Sequence, residues 1–182
     1  MNLKTRIDII CGVAGSGKTT HMNKVKDQYD YAMFHDEWVR DFFDNADPYS
    51  NEFLFQLFML FPQAQLPSDI NKENLKKWLF ESPEINVIYS NAWKNKYVLV
   101  LCAFMKDTRA YNIVAECPFI DESLVALKKM YPGQIKITWI NTSKDTIIIL
   151  KDRNWSDERI TQTISTQNQD FTDFKKYIDE RI

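Results

Sequence analysis

Gly12-Val-Ala-Gly-Ser-Gly-Lys-Thr19 sets a lysine and a hydroxyl directly after spaced glycines, a full match to the pattern glycine, four residues, glycine, lysine, serine or threonine. An apolar run precedes it and a helix-like stretch comes after it. In that setting successive backbone N–H groups and a helix N-terminus converge on phosphate oxygens. Gly12, Gly15 and Gly17, three of the chain's four glycines, permit a close backbone approach that a Cβ would block. Lys18 is expected to place its cation on the β- and γ-phosphates of a bound nucleotide, and Thr19 to offer its hydroxyl to Mg²⁺. Ser16 and Thr20 complete the expected nucleotide-binding set. The alternative is a glycine-rich turn with no ligand; the agreement of motif, preceding strand and succeeding helix favours the phosphate site.

Other residues must decide which reaction, if any, nucleotide binding serves. Asp36 stands just past a second apolar run, where a carboxylate can accept the proton of an attacking hydroxyl. Glu37 competes for that role, and Asp36 as a plain helix cap before Trp38 is the structural alternative. Arg40, one helical turn on, is placed to bind a substrate anion; a solvated helix arginine is its alternative. Glu116 closes the apolar run Ile113-Val-Ala-Glu116, as suits a carboxylate that orders Mg²⁺-bound water. Arg153 and Arg159 bracket Asn154-Trp-Ser156, a helix break that can fold over a nucleotide and neutralise charge on a transferred phosphoryl group. Each could equally be a surface arginine. A guanine reader is missing, since Asn95-Lys-Tyr-Val98 lacks the required aspartate, and this disfavours a GTPase.

Strands and helices must bring these groups together. Apolar runs from Ile7 to Cys11, Tyr31 to Phe34, Asn112 to Cys117 and Gln134 to Ile140 read as four strands. Helices are expected from Thr19 to Gln28, Asp36 to Phe43, Asn71 to Phe80, Pro83 to Lys106 and Ser123 to Met130. The aromatic stretch from Asn51 to Phe61 reads as core or as a closing helical flap. Beyond Ser143 the expectation is helix to the end, broken near Asn154 to Ser156, with no fifth strand. Strands alternating with helices imply a parallel sheet covered on both faces.

Composition narrows the function classes. The chain has 182 residues, 23 Lys+Arg against 25 Asp+Glu and a formal charge of −2, so a strong attraction to nucleic-acid backbone is not expected. No linker or repeat marks a boundary, and residues 1–182 read as one domain, with 44–106 as a helical substrate-side region and 143–168 as a lid. The longest apolar run, Tyr97 to Met105, is half of a membrane crossing, and the N-terminal residues lack a signal-peptide pattern. The expectation is a cytoplasmic protein without a membrane partner; oligomeric state leaves no mark. Cys11, Cys102 and Cys117 are odd in number and sit in apolar stretches, which suits buried thiols better than disulfides or a zinc site.

Together these residues resemble the small P-loop kinases of the nucleoside monophosphate kinase group, most closely the dephospho-CoA kinase family. Asp36-Glu-Trp-Val-Arg40 is similar to that family's Asp-x-Ile-Ala-Arg, whose aspartate is the expected catalytic base. Trp78-Leu-Phe-Glu-Ser-Pro-Glu84 looks like its Val-Phe-x-Asp-Pro-Glu segment, and Ile113-Val-Ala-Glu-Cys-Pro118 like its third strand and turn. Arg153-Asn-Trp-Ser156 with Ile164-Ser-Thr-Gln167 resembles its lid sequence Arg, Ser, Arg-Ile-x-x-Gln. Three departures stand out. The family's His-Pro has no counterpart near Ser90-Asn-Ala-Trp93, the second lid arginine falls at Thr163 with Arg159 one turn earlier, and the family's last strand has no visible equivalent. A compact phage-type (deoxy)nucleotide kinase would show such losses.

The resemblance implies an α/β P-loop NTPase fold, a doubly wound parallel sheet of about four strands in the order 2-3-1-4 with a helical lid. It implies an enzyme using ATP and Mg²⁺ to phosphorylate a nucleotide-like small molecule, a (deoxy)nucleoside monophosphate or dephospho-CoA. Lys18, Asp36 and Arg153 would be catalytic, and Asp36 and Arg40 would meet the acceptor. Two other functions remain open on the sequence: a polynucleotide 5'-hydroxyl kinase, and a non-catalytic nucleotide-binding switch or interaction module.

Overall fold

The computed structural model describes residues 4–37, 73–74, 94, 97–141 and 145–182. The chain divides into two compact units, Met1–His35 with Val100–Ile182, and Asp36–Leu99. In the second unit the described residues, 36–37, 73–74, 94 and 97–99, are all helical. The flap expected from Asn51 to Phe61, most of the helices expected from Asn71 to Phe80 and Pro83 to Lys106, and Arg40 lie outside the described residues.

The first unit contains, in chain order, β1 (Arg6–Gly12), α1 (Lys18–Val25), β2 (Tyr31–Met33), β3 (Asn112–Cys117), α2 (Glu122–Met130), β4 (Ile135–Ile140), α3 (Thr146–Asp152), α4 (Asp157–Phe174) and β5 (Glu180–Arg181). Residues 100–106 are also helical. The five strands form one sheet in the order β2-β3-β1-β4-β5, and every neighbouring pair is parallel. β1, paired on both sides, is buried on both faces. That is why Ile7, Ile9, Ile113 and Ile137 read as near-continuous apolar runs and are all fully buried.

Side chains on a strand alternate between faces. Ile10, Val114 and Ile140 form one face, and Met22 of α1 packs on it. Trp139, one residue out of phase with Ile140, meets Phe171 of α4 on the other, with ring centroids 5.1 Å apart. Helices therefore cover both faces, as a doubly wound sheet requires. Parallel pairing aligns the carboxyl ends of the strands. Ile10 is opposite Glu116, Cys11 opposite Cys117, and Gly12 opposite Ile140, so the glycine loop opens at the edge where β3 and β4 also end.

The expectation of helix to the end and no fifth strand is corrected. α4 finishes at Phe174, a short 3₁₀ turn covers Lys175–Tyr177, and Glu180–Arg181 adds a parallel strand beside β4. A two-residue strand of charged side chains has no apolar run to betray it. Its hold comes from backbone bonds at Ile182 and Asn141 and from polar contacts at its side chains. Lys136 pairs with Glu180 at 2.5 Å, Lys128 pairs with Asp179, and Arg181 donates to Asn141. The order 2-3-1-4 expected for the other strands is retained. Among the described residues no helix is long and apolar enough to cross a membrane.

Candidate active site

The loop between β1 and α1 is shaped by its glycines. Gly12 has φ +151°, and a Cβ there would lie 2.7 Å from the Ile140 carbonyl oxygen and 2.8 Å from Ser16 Oγ. Gly15, at φ +77°, packs against α3, where Thr146 and Leu150 lie 3.3 Å from any added Cβ. Both positions demand glycine for conformation and for space. Gly17 is the N-cap residue of α1, so the helix N-terminus faces the loop it closes.

Lys18 begins α1 and is 7% exposed. Its Nζ donates to the carbonyl oxygens of Gly12 and Val13, each at 2.9 Å. The cation is thus held over the concave side of the loop by the loop's own backbone. Thr19 Oγ1 donates to Glu116 Oε1 at 3.0 Å. Parity explains the contact: Glu116 lies on the same face of β3 as Val114, the face on which α1 packs. Glu116 is 5% exposed, so its carboxylate is turned inward. Ser16 Oγ is buried and finds no hydrogen-bond partner among the described residues. A buried hydroxyl left unpaired costs about 1–3 kcal/mol, and an oxygen-rich ligand entering the loop would relieve it. Thr20, next along α1, is exposed.

The break between α3 and α4 falls where the sequence places it. Trp155 N donates to Leu150 O at 3.2 Å and Asn154 N to Lys151 O at 2.8 Å, with Asn154 at φ +61°. This is a Schellman turn with asparagine in the left-handed position. Ser156 then caps α4 by accepting from the Arg159 backbone N–H at 3.2 Å. The Arg159 guanidinium stacks 3.9 Å from the Trp155 ring centroid. Arg153 and Arg159 are both exposed, on either side of this turn.

The structure therefore brings together Gly12, Gly15, Ser16, Gly17, Lys18, Thr19 and Glu116. Asp36 is exposed and helical, and it is the first residue of the second unit. One participant carries no role in the sequence reading. Gln167, on α4, accepts from the Ala14 backbone N–H with Oε1 at 2.7 Å and donates from Nε2 to the Pro118 carbonyl at 3.0 Å. A polar residue on a polar helix gives no periodic signal; only its place in the lid-like segment hinted at it.

The expected metal residues fit a hard cation. A hydroxyl and a carboxylate meeting at a strand end are oxygen donors of the kind Mg²⁺ accepts, and Mg²⁺ commonly takes one or two protein groups alongside phosphate oxygens and water. Among the described residues, no group of three or more His, Cys, Asp or Glu could hold a metal on its own.

No protein-family model matches the chain, and no curated protein matches it. Solved structures do. A shikimate kinase from Acinetobacter baumannii, in complex with shikimate, is 12% identical with a TM-score of 0.58, over 98% of this chain and 83% of that one. The protein TT1252 from Thermus thermophilus is 15% identical with a TM-score of 0.54, over 98% and 87% of the two chains. At such identities the likeness speaks for architecture: the five-stranded parallel sheet with its glycine loop after the first strand has the fold of a P-loop kinase.

Proposed function

We propose that this protein is an ATP- and Mg²⁺-dependent phosphotransferase acting on a nucleotide-like small molecule, a (deoxy)nucleoside monophosphate or dephospho-CoA. The observation that carries the reading is the Thr19–Glu116 contact, 3.0 Å at the end of a complete phosphate loop. A structural glycine turn needs neither a buried carboxylate at the neighbouring strand end nor a lysine folded over its own concavity. The shared fold with a kinase that binds shikimate supports small-molecule phosphorylation over other uses of the loop.

In this reading the backbone of Gly15 to Thr20 cradles the triphosphate. Lys18 exchanges its two carbonyl partners for β- and γ-phosphate oxygens; Thr19 and Glu116 would hold Mg²⁺, which would supply positive charge against that of the phosphates. Asp36 orients or deprotonates the acceptor hydroxyl, and Arg40 binds an acceptor anion. Where the acceptor is already a phosphate, Asp36 needs only to orient it. Arg153 and Arg159, on either side of the turn, neutralise charge on the transferred group and help to exclude water.

The test is ADP release from Mg-ATP with dephospho-CoA, each ribo- and deoxynucleoside monophosphate, shikimate and a 5'-hydroxyl oligonucleotide. One nucleotide-like acceptor should stimulate release, and Lys18→Ala and Asp36→Asn should each abolish it. Stimulation by the oligonucleotide alone would make the protein a polynucleotide kinase. ATP binding with silence across all acceptors would make it a nucleotide-binding module.

A further inference from the structure

We infer that Gln167 is a positioning residue of the phosphate loop, a clamp whose single carboxamide fixes the loop against the turn that leaves β3. Its oxygen accepts from the Ala14 N–H at 2.7 Å and its nitrogen donates to the Pro118 carbonyl at 3.0 Å. Ala14 lies on the rising limb of the loop, between Gly12 and Gly15, and Pro118 is two residues past Glu116. The clamp therefore spans the same two segments that Thr19 and Glu116 join. It sets the separation between the phosphate cradle and the carboxylate.

The chemistry of the side chain suits the task. A carboxamide presents a strong acceptor and two donors on one planar head, and here it meets one backbone donor and one backbone acceptor that the strand ladders do not use. Partly buried backbone groups left unpaired are costly, so loop and turn are held at the spacing the carboxamide spans. The same turn is gripped from below: Cys117 Sγ lies 3.2 Å from the Phe119 carbonyl oxygen and Cys11 Sγ 3.6 Å from it. Gln167 sits two turns along α4 from Arg159, so the helix that leaves the arginine-bearing hairpin is itself fastened to the loop. The consequence for ATP rests on the function proposed above; the clamp itself does not.

Two measurements test it. In the nucleotide-free protein, amide hydrogen exchange of the peptide spanning Gly12 to Gly17 should speed up by about tenfold in Gln167→Leu, the effect of losing one to two net hydrogen bonds, while β4 keeps its protection. ATP affinity, measured by calorimetry without acceptor, should weaken by a similar factor. Gln167→Glu supplies the control. Its ionised carboxylate can accept from Ala14 but cannot donate to Pro118, whereas the protonated acid offers one acceptor and one donor as the carboxamide does. Its ATP affinity relative to the unmodified protein should recover as pH falls into the carboxyl range near ~4–5, a profile no general loss of packing would give. Unchanged loop exchange in Gln167→Leu, or a pH-independent deficit in Gln167→Glu, overturns the clamp. Faster loop exchange with full ATP affinity overturns its role in nucleotide binding. If the unmodified protein binds no ATP, the kinase reading falls, and the exchange experiment still decides the clamp.

Discussion

Glu116 illustrates how one side chain joins sequence, packing and chemistry. A lone acid closing an apolar strand is costly to bury unless something answers it, and the Thr19 hydroxyl at 3.0 Å does. Glu116→Gln keeps an oxygen acceptor for Thr19 and removes only the charge. Transfer should then fall by about 10–100-fold, the range for groups that orient a metal or its waters, with thermal stability little changed. Steady-state rates across a Mg²⁺ titration check this, and an unchanged metal requirement would remove Glu116 from the site. Gly12 makes the complementary point about shape. Gly12→Ala combines a positive φ with a Cβ 2.7 Å from a backbone carbonyl that cannot rotate away. Strain of this kind costs about 1–3 kcal/mol. A denaturant midpoint equal to that of the unmodified protein would show that the loop relaxes freely.

Elements differ in how plainly the sequence announces them. β1, β3 and β4 are legible because strands buried on both faces must be apolar throughout, and the glycine loop because its spacing is dictated by the phosphate it would hold. The break after Asp152 is legible from Asn154 and Ser156, each suited to one half of a stop and restart. β5 is not, since its stability lies in long-range pairs that leave no local pattern. Its Glu180 carboxyl sits below its ordinary value of 4.5, first through the hydrogen bond from Lys136 and then through that lysine's charge. A depressed carboxyl adds stability that is fully present above its ordinary value and is lost as pH falls through the lower, folded value. The pair is exposed, so the expected effect is local. A carboxyl titration by NMR should give Glu180 a lower midpoint than in Lys136→Met; coincident curves would show that β5 owes nothing to the pair.

At the scale of the molecule, the sheet brings together residues that the sequence keeps far apart. Cys11 and Cys117 look like unrelated thiols along the chain, yet they are direct register partners in β1 and β3, both fully buried, and both directed at the Phe119 carbonyl. The expectation of buried thiols holds for these two, whereas Cys102 is partly exposed. Burial, and then the adjoining Cys11 thiol, push the Cys117 thiol well above its ordinary value. The thiolate is the reactive species, so at neutral pH Cys117 is protected twice, by access and by protonation. Native protein treated with N-ethylmaleimide should therefore be modified at Cys102 first, with Cys11 and Cys117 reacting together only as denaturant opens the sheet. Peptide mass spectrometry resolves the three sites. Because the phosphate loop begins at the residue after Cys11, the labelling rate of this pair also reports how often the loop loses its foundation. A bound nucleotide should slow that rate in proportion to its affinity, since it stabilises only the folded state. Rapid labelling of Cys117 under native conditions would mean that β1 and β3 separate locally, and that the sheet does not hold the base of the loop in place.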